Sequence, residues 1–126
     1  MINGLHHPHL SVVDAEKTLK FIGETLGGKE VGRVHFEDGR LAAVYISFGN
    51  AYIEMAPAWG NPINNRPICF EVSDIEKEAS RLKNLGVEVR EINKTRSGCL
   101  QLYFKDTEGN EYELLEPQKG SFLFKA

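Results

Sequence analysis

The sequence has few of the features that mark secreted, membrane-spanning or nucleic-acid-binding proteins. Its 126 residues include only two cysteines, Cys69 and Cys99, too few for a disulfide framework and not spaced as CxxC. Reduced thiols and a cytoplasmic location are therefore expected. No apolar run approaches the roughly 20 residues that a membrane span needs, and no basic and then apolar segment opens the chain. The net charge of −3 gives no electrostatic reason to expect nucleic acid.

The sequence does contain an internal repeat. A strand-like run opens each half, Leu5–Asp14 and Pro67–Asp74, and leads into a helix-like stretch. Near its end, each half also has a short strand-like run in which a single glutamate lies between apolar residues. These glutamates are Glu54 and Glu113. The register holds to within one residue, because position 67 follows position 7 by 60 and position 113 follows position 54 by 59. A repeat at this period indicates two copies of one supersecondary unit.

Hydrophobic periodicity and turn residues predict the order βαβββ in each half. The first half is predicted to contain the strands Leu5–Val13, Val31–Phe36, Leu41–Phe48 and Ala51–Met55. Its helix starts at the N-cap Asp14 and stops at Gly27, with a buried stripe of Ala15, Leu19, Ile22 and Leu26. The second half is predicted to contain the strands Ile68–Ser73, Val87–Ile92, Leu100–Lys105 and Glu111–Leu115, and a helix from Asp74 to Gly86.

These elements predict a single α+β domain of two tandem modules. Module one covers about 4–56, a Pro- and Asn-rich linker 57–66, module two about 67–117, and a tail 118–126. A four-stranded sheet covered by one helix leaves its other face bare. Two such halves can curve together as a half-barrel mixed sheet around a central cavity, with the helices outside.

Three motifs resemble the vicinal oxygen chelate superfamily, which includes glyoxalase I, extradiol dioxygenases, fosfomycin resistance proteins and bleomycin resistance proteins. Two are the strand-into-helix openings that begin at His7 and Pro67. The third is the Phe104–Leu114 segment, whose Asp-Thr-Glu-Gly-Asn turn leads into the last strand. The resemblance covers roughly Leu5 to Pro117 and implies the same paired βαβββ fold.

The resemblance also implies a metal site with one ligand from the first and last strand of each module. His7, Glu54 and Glu113 occupy three of the four ligand positions, and Pro67 occupies the fourth without a donor side chain. Nickel, zinc, manganese or iron would suit one imidazole and two carboxylates. The extradiol dioxygenases and fosfomycin thiol transferases rely on a histidine at the Pro67 position, so its absence argues against both.

Strand alternation predicts which other side chains line the cavity. They are His9, Ser11, Cys69, Gln101 and Tyr103. Alternation also sends His6 to the face opposite that of His7. Simpler readings exist for these positions: the histidines could form a surface cluster, and Glu54 and Glu113 could point to solvent. Cys69 could be a reactive thiol or a small buried hydrophobe. Trp59 and the linker could cover the pocket or only connect the modules.

Two functions of different classes follow from the resemblance. The first is a lactoylglutathione lyase-like, metal-dependent lyase or isomerase that acts on a small molecule with adjacent oxygens through a metal-stabilised enediolate. Glu54 or Glu113 would be its catalytic base. The alternative is a metal-free drug-binding protein of the bleomycin resistance type, without catalysis. In either case the partners are a small molecule and a second copy in a homodimer, with no nucleic acid or membrane.

Overall fold

The computed structural model of the protein describes residues 1–125 and contains two compact units. The first is Met1–Asn65 and the second begins at Arg66. Each unit has one four-stranded mixed sheet and one covering helix, so the fold is α+β as predicted. Within residues 1–125, no helix is long and apolar enough to cross a membrane.

The first unit has the element order predicted from the repeat. Its elements are β1 (His9–Val12), α1 (Ala15–Phe21), a π-helical turn (Ile22–Leu26), β2 (Lys29–His35), β3 (Leu41–Ser47) and β4 (Tyr52–Pro57). The sheet order is β1-β4-β3-β2. The β1 strand pairs with β4 in parallel, whereas the β2–β3 and β3–β4 pairs are antiparallel.

The helix of the first unit starts and stops where the sequence predicts, but it buries a different stripe. The Asp14 side chain caps it by accepting a hydrogen bond from the Lys17 N–H at 3.1 Å, and Gly27 ends it with a φ of 74°. Its buried positions are Ala15, Thr18, Ile22 and Thr25. The predicted stripe of Ala15, Leu19, Ile22 and Leu26 is therefore half wrong. Leu19 and Leu26 lie beside this stripe and are only half-buried.

The second unit repeats this arrangement with a shorter edge strand. Its elements are β5 (Ile68–Glu71), α2 (Ile75–Asn84), β6 (Asn93–Lys94), β7 (Leu100–Lys105) and β8 (Glu111–Glu116). The sheet order is β5-β8-β7-β6, with β5 and β8 parallel. Asp74 caps α2 through the Lys77 N–H, and Gly86 follows the helix with a φ of 81°.

Two predicted strands differ from the observed ones by more than two residues at an end. The Leu5–Val13 prediction was too long, because Pro8 has no N–H to donate to a ladder and the strand begins only at His9. The segment before it still follows β4, since the carbonyls of His6 and Pro8 accept hydrogen bonds from β4. The predicted strand Val87–Ile92 was wrong. That segment makes only an isolated bridge between Val89 and Phe104, and pairing with β7 becomes regular only in β6.

Each sheet turns its apolar side chains toward its helix. In the first unit these side chains are Leu10, Val12, Val44, Ile46, Ile53 and Met55, and in the second they are Leu102, Phe104, Tyr112 and Leu114. Each fully buried side chain of this size contributes about 1.5–3 kcal/mol. Because strand side chains alternate, Glu54 and Glu113 lie on the face that the helix does not cover.

Candidate functional site

Glu54 is the centre of a polar cluster in the first unit. In the β-sheet register it lies between His9 on β1 and Tyr45 on β3. One carboxylate oxygen accepts a hydrogen bond from His9 Nδ1 at 2.9 Å, and the other accepts one from the Tyr45 hydroxyl. The carboxylate of Glu54 is thus fixed on the uncovered face of the sheet, with 27% of its side chain exposed.

These hydrogen bonds stabilise the ionised form of Glu54. The hydrogen bond from Tyr45, followed by the one from His9, lowers the pKa of Glu54 below its ordinary value. The same bond to Glu54 raises the pKa of the Tyr45 phenol. At neutral pH the pair is therefore a carboxylate acceptor and a protonated hydroxyl donor.

His7 lies beside this cluster but outside the strand. Its ring packs edge-on against Tyr45 with centroids 5.6 Å apart, and its Nδ1 lies 2.8 Å from Nδ1 of His6. The prediction that His6 points away from His7 was wrong, because strand alternation does not apply before β1. His6 instead stacks on Tyr52, with centroids 5.0 Å apart. His7 is exposed and lies next to the Glu54 cluster.

Ser11 extends the hydrogen-bonded chain along β1. Its hydroxyl lies 3.0 Å from His9 Nε2. The backbone of Ser11 is held by Asn65, whose amide oxygen accepts from the Ser11 N–H at 3.0 Å and whose amide nitrogen donates to the Ser11 carbonyl at 2.7 Å. Ser11, His9, Glu54 and Tyr45 thus form one continuous polar chain across three strands.

Glu113 has the equivalent place in the second unit, with different partners. In register it lies between Cys69 on β5 and Tyr103 on β7. The amide of Gln101 donates to the Glu113 carboxylate and to the Tyr103 hydroxyl, the latter at 3.1 Å. The structure therefore brings together Cys69, Gln101, Tyr103 and Glu113, the predicted pocket and site residues of this half.

Cys69 is neither a buried hydrophobe nor a reactive thiolate. Its side chain is exposed. Desolvation by neighbouring atoms, followed by the negative charge of Glu113, raises the pKa of the Cys69 thiol to about 12. The thiol stays protonated at neutral pH, and only the thiolate is a good nucleophile. Cys69 is therefore suited to donate a weak hydrogen bond to Glu113.

Tyr45 is a member of the Glu54 cluster that the sequence prediction missed. It is the cross-strand partner of Glu54, as Tyr103 is of Glu113. The repeat contained the signal, because Tyr103 follows Tyr45 by 58 positions, close to the spacing of 59 between the glutamates. A carboxylate next to a phenol is thus a shared feature of both units.

The donor types around Glu54 suit a divalent metal ion. An imidazole and a carboxylate from the first unit, His7 and Glu54, are ligands that zinc-like ions accept. Pro67, the residue equivalent to His7, offers no donor. Among residues 1–125, no three His, Cys, Asp or Glu side chains form a group that could hold a metal ion. The convergence of His7, Glu54 and Glu113 stays a prediction.

Comparison with known families agrees with this geometry. Residues 4–114 match the profile of the Glyoxalase/Bleomycin resistance protein/Dioxygenase superfamily. The chain belongs to this superfamily. This confirms the family resemblance that the strand-into-helix openings and the last turn predicted.

The relatives and solved structures that resemble this chain have several functions. Glyoxalase I of Saccharomyces cerevisiae is 30% identical, in a match that covers 68% of this chain but only 36% of the yeast protein. Lactoylglutathione lyase of Neisseria meningitidis is 27% identical, in a match that covers 92% of each chain. The antibiotic-binding protein TnmS3 of a Streptomyces species has the same fold, with a TM-score of 0.78, 22% identity, and 93% and 98% of the two chains covered.

Proposed function

We propose that this superfamily member is a metal-dependent lyase or isomerase acting on a small molecule with adjacent oxygens. The observation that supports it most directly is the placement of Glu54. Its carboxylate is oriented by Tyr45 and His9 on the uncovered face of the sheet, next to the exposed His7 ring. The Neisseria lactoylglutathione lyase, which matches over nearly its whole length, supports the same reaction class.

His7, Glu54 and Glu113 would hold the ion, and water or substrate would complete its coordination. When bound, a divalent ion supplies Lewis-acid polarisation of the adjacent oxygens, which acidifies the neighbouring carbon.

The two glutamates have different surroundings, which suggests different roles. Both oxygens of Glu54 are held by hydrogen bonds from Tyr45 and His9, which lower its pKa, so Glu54 is suited to be a fixed ligand. Glu113 accepts from the neutral amide of Gln101. We assign Glu113 as the group that takes the proton from the carbon next to the carbonyl.

The remaining polar side chains on these faces would orient the substrate. Ser11, Gln101 and Tyr103 carry neutral hydroxyl or amide groups, which bind carbonyl and hydroxyl oxygens without competing for the ion's charge. His9 would remain a partner of Glu54 rather than a ligand, because its Nδ1 donates to that carboxylate.

A second candidate function is a metal-free small-molecule-binding protein. The observation that favours it is Pro67, which removes one of the four donor positions of the family pattern. TnmS3, an antibiotic-binding protein, has the same fold. In this case the same polar side chains would hold a ligand without chemistry.

Metal content separates the two candidates. Protein purified without a polyhistidine tag should bind nickel, zinc, manganese or iron at close to one ion per chain after reconstitution. It should then form S-lactoylglutathione from methylglyoxal and glutathione, or isomerise a related substrate. Glu113→Gln should lose turnover and bind metal more weakly, because it removes the base and one of three ligands, while Glu37→Gln, an exposed turn carboxylate, should change neither. Failure to retain any ion would instead support the binding protein.

A further inference from the structure

The first unit contains a cavity that none of the Glu54 cluster lines. Its volume is about 730 Å³, within the roughly 300–1,000 Å³ typical of small-molecule pockets. It lies where β1 and β4 end, and its walls are largely apolar. The apolar walls include Val13, Ala15, Leu41, Pro57, Trp59 and Ile63.

The charged groups at this cavity already have partners within the protein. Arg33 is ion-paired with Glu16 and also bonds Glu30, with its Nε 2.7 Å from the Glu30 carboxylate. The Asp14 carboxylate accepts the helix N–H of Lys17. A ligand in the cavity therefore needs no charge of its own, and a buried unpaired charge would be costly there.

Within residues 66–125, the second unit lacks this apolar cavity at the equivalent position. The corresponding corner, after β5 and β8, holds a more polar hollow of about 380 Å³ with Ser73, Glu116 and Lys119 among its walls. There the Glu116 carboxylate turns inward and accepts the Ile75 N–H at 2.9 Å. Pro57 is the equivalent of Glu116, 59 positions earlier, and cannot make this bond. Divergence between the repeats has thus left an open apolar pocket in the first unit.

Trp59 forms one wall in an unfavourable backbone conformation. Its φ of 51° is the only positive value at a non-glycine position among residues 1–125. For a bulky residue this conformation is strained, and such strain concentrates at binding sites. The indole is fixed by its N–H, which donates to the Leu41 carbonyl at 3.0 Å, and by the Arg40 guanidinium 5.1 Å from its ring. Even so, half of Trp59 is exposed.

We propose that this cavity is a second small-molecule site that takes a flat, uncharged aromatic molecule against Trp59. Flat apolar ligands gain most from burial against aromatic and aliphatic walls of this kind. The site shares no lining residue with the Glu54 cluster and does not depend on the function proposed for that cluster.

The test uses N-phenyl-1-naphthylamine, a neutral aromatic probe whose emission rises in apolar surroundings. Because Trp59 is the only tryptophan, energy transfer from it to the probe reports binding near that wall. One saturable site per chain is expected. Pro57→Glu should weaken binding about tenfold or more, since it places a carboxylate in the apolar wall. Val13→Glu places the charge at the exposed rim and should weaken binding measurably but less. Val13 is 75% exposed, so that variant should fold normally.

Two controls keep the result specific. Leu85→Glu adds the same charge at an exposed apolar position outside the cavity and should bind the probe unchanged. Glu54→Gln should also bind unchanged, because Glu54 does not line the cavity. No saturable binding, equal affinity in Val13→Glu and the parent, or a loss in Glu54→Gln equal to that in Val13→Glu would each overturn the proposal. Circular dichroism confirms folding of every variant.

Discussion

At the scale of single residues, the Tyr45 hydroxyl group orients the Glu54 carboxylate. The Tyr45 hydroxyl donates to Glu54, whereas the equivalent Tyr103 hydroxyl accepts from Gln101. Tyr45→Phe should therefore weaken nickel binding about 10- to 100-fold, the usual effect of removing a hydrogen bond to a metal ligand. Tyr103→Phe is the matched control and should change affinity much less. Calorimetric titration compares them, and equal effects would show that Tyr45 does not position a ligand.

Pro67 is the second decisive residue, because it occupies a ligand position without a donor. Pro67→His restores both a side-chain donor and a backbone N–H. If the ion is bound as proposed, this variant should bind nickel more tightly than the parent in the same titration. His9→Ala should also weaken nickel binding, because it removes the second hydrogen bond to the Glu54 carboxylate. Tighter binding that persists in Pro67→Ala would point to the backbone rather than to the imidazole.

Much of the site was predictable at this scale. Glu54 and Glu113 follow from alternation in short apolar strands, and the structure places both on the uncovered faces. His6 was misplaced because Pro8 keeps that segment out of the ladder, and no periodicity applies there. The raised pKa of the Cys69 thiol could not be predicted, because it depends on atoms that strand pairing brings together.

At the scale of elements, Gly28 sets how closely α1 approaches its sheet. A Cβ there would lie 2.6 Å from Phe48 Cζ and 2.9 Å from Ile22 Cγ2. Gly28→Ala should therefore lower the free energy of unfolding by about 1–3 kcal/mol through overpacking. Gly32→Ala in β2 meets no atom within 4 Å and should cost much less. Urea denaturation measures both, and equal losses would exclude overpacking as the cause.

The β7–β8 turn is organised by a buried carboxylate. Asp106 accepts from the backbone of Glu108 and Asn110, and from the Tyr112 hydroxyl at 2.8 Å. Tyr112→Phe keeps the ring that stacks on Phe104 but removes this bond. It should destabilise the protein by about 1.5–3 kcal/mol, as for other hydrogen bonds to charged groups. Tyr103→Phe, half-buried on the opposite face, should cost less in the same urea titration.

The elements themselves were largely readable from the sequence. Leu100–Lys105 was predicted to the residue, because its alternation is uninterrupted. Val87–Ile92 was mispredicted because alternation reports burial of one face and not whether a neighbouring strand pairs with it. The π-helical turn at Ile22–Leu26 was not predicted, since the apolar periodicity of this segment is that of an ordinary α-helix.

For the whole molecule, exposed strand edges favour association with a second copy. The β2 edge of the first sheet exposes Val31 and Val34, at 57% and 49%, and an apolar edge can pair with another chain. We expect a homodimer by sedimentation at micromolar concentration. Val34→Lys should shift it toward the 14.2 kDa monomer if this edge is the interface. A parent protein that sediments as a monomer with intact ligand binding would contradict the prediction.

The parallel pairing of the first and last strands in each unit also has a consequence for the order of assembly during synthesis. His9 and Glu54 are bonded across 45 positions of chain, whereas the β2–β3 hairpin joins neighbours. On the ribosome, the hairpin can form early, but β1 has no partner until β4 has emerged. Closing so long a loop is entropically slow. The β1–β4 pairing that orients Glu54 is therefore completed last. A nascent or truncated first unit would contain its histidines, but the Glu54 cluster would not yet have formed.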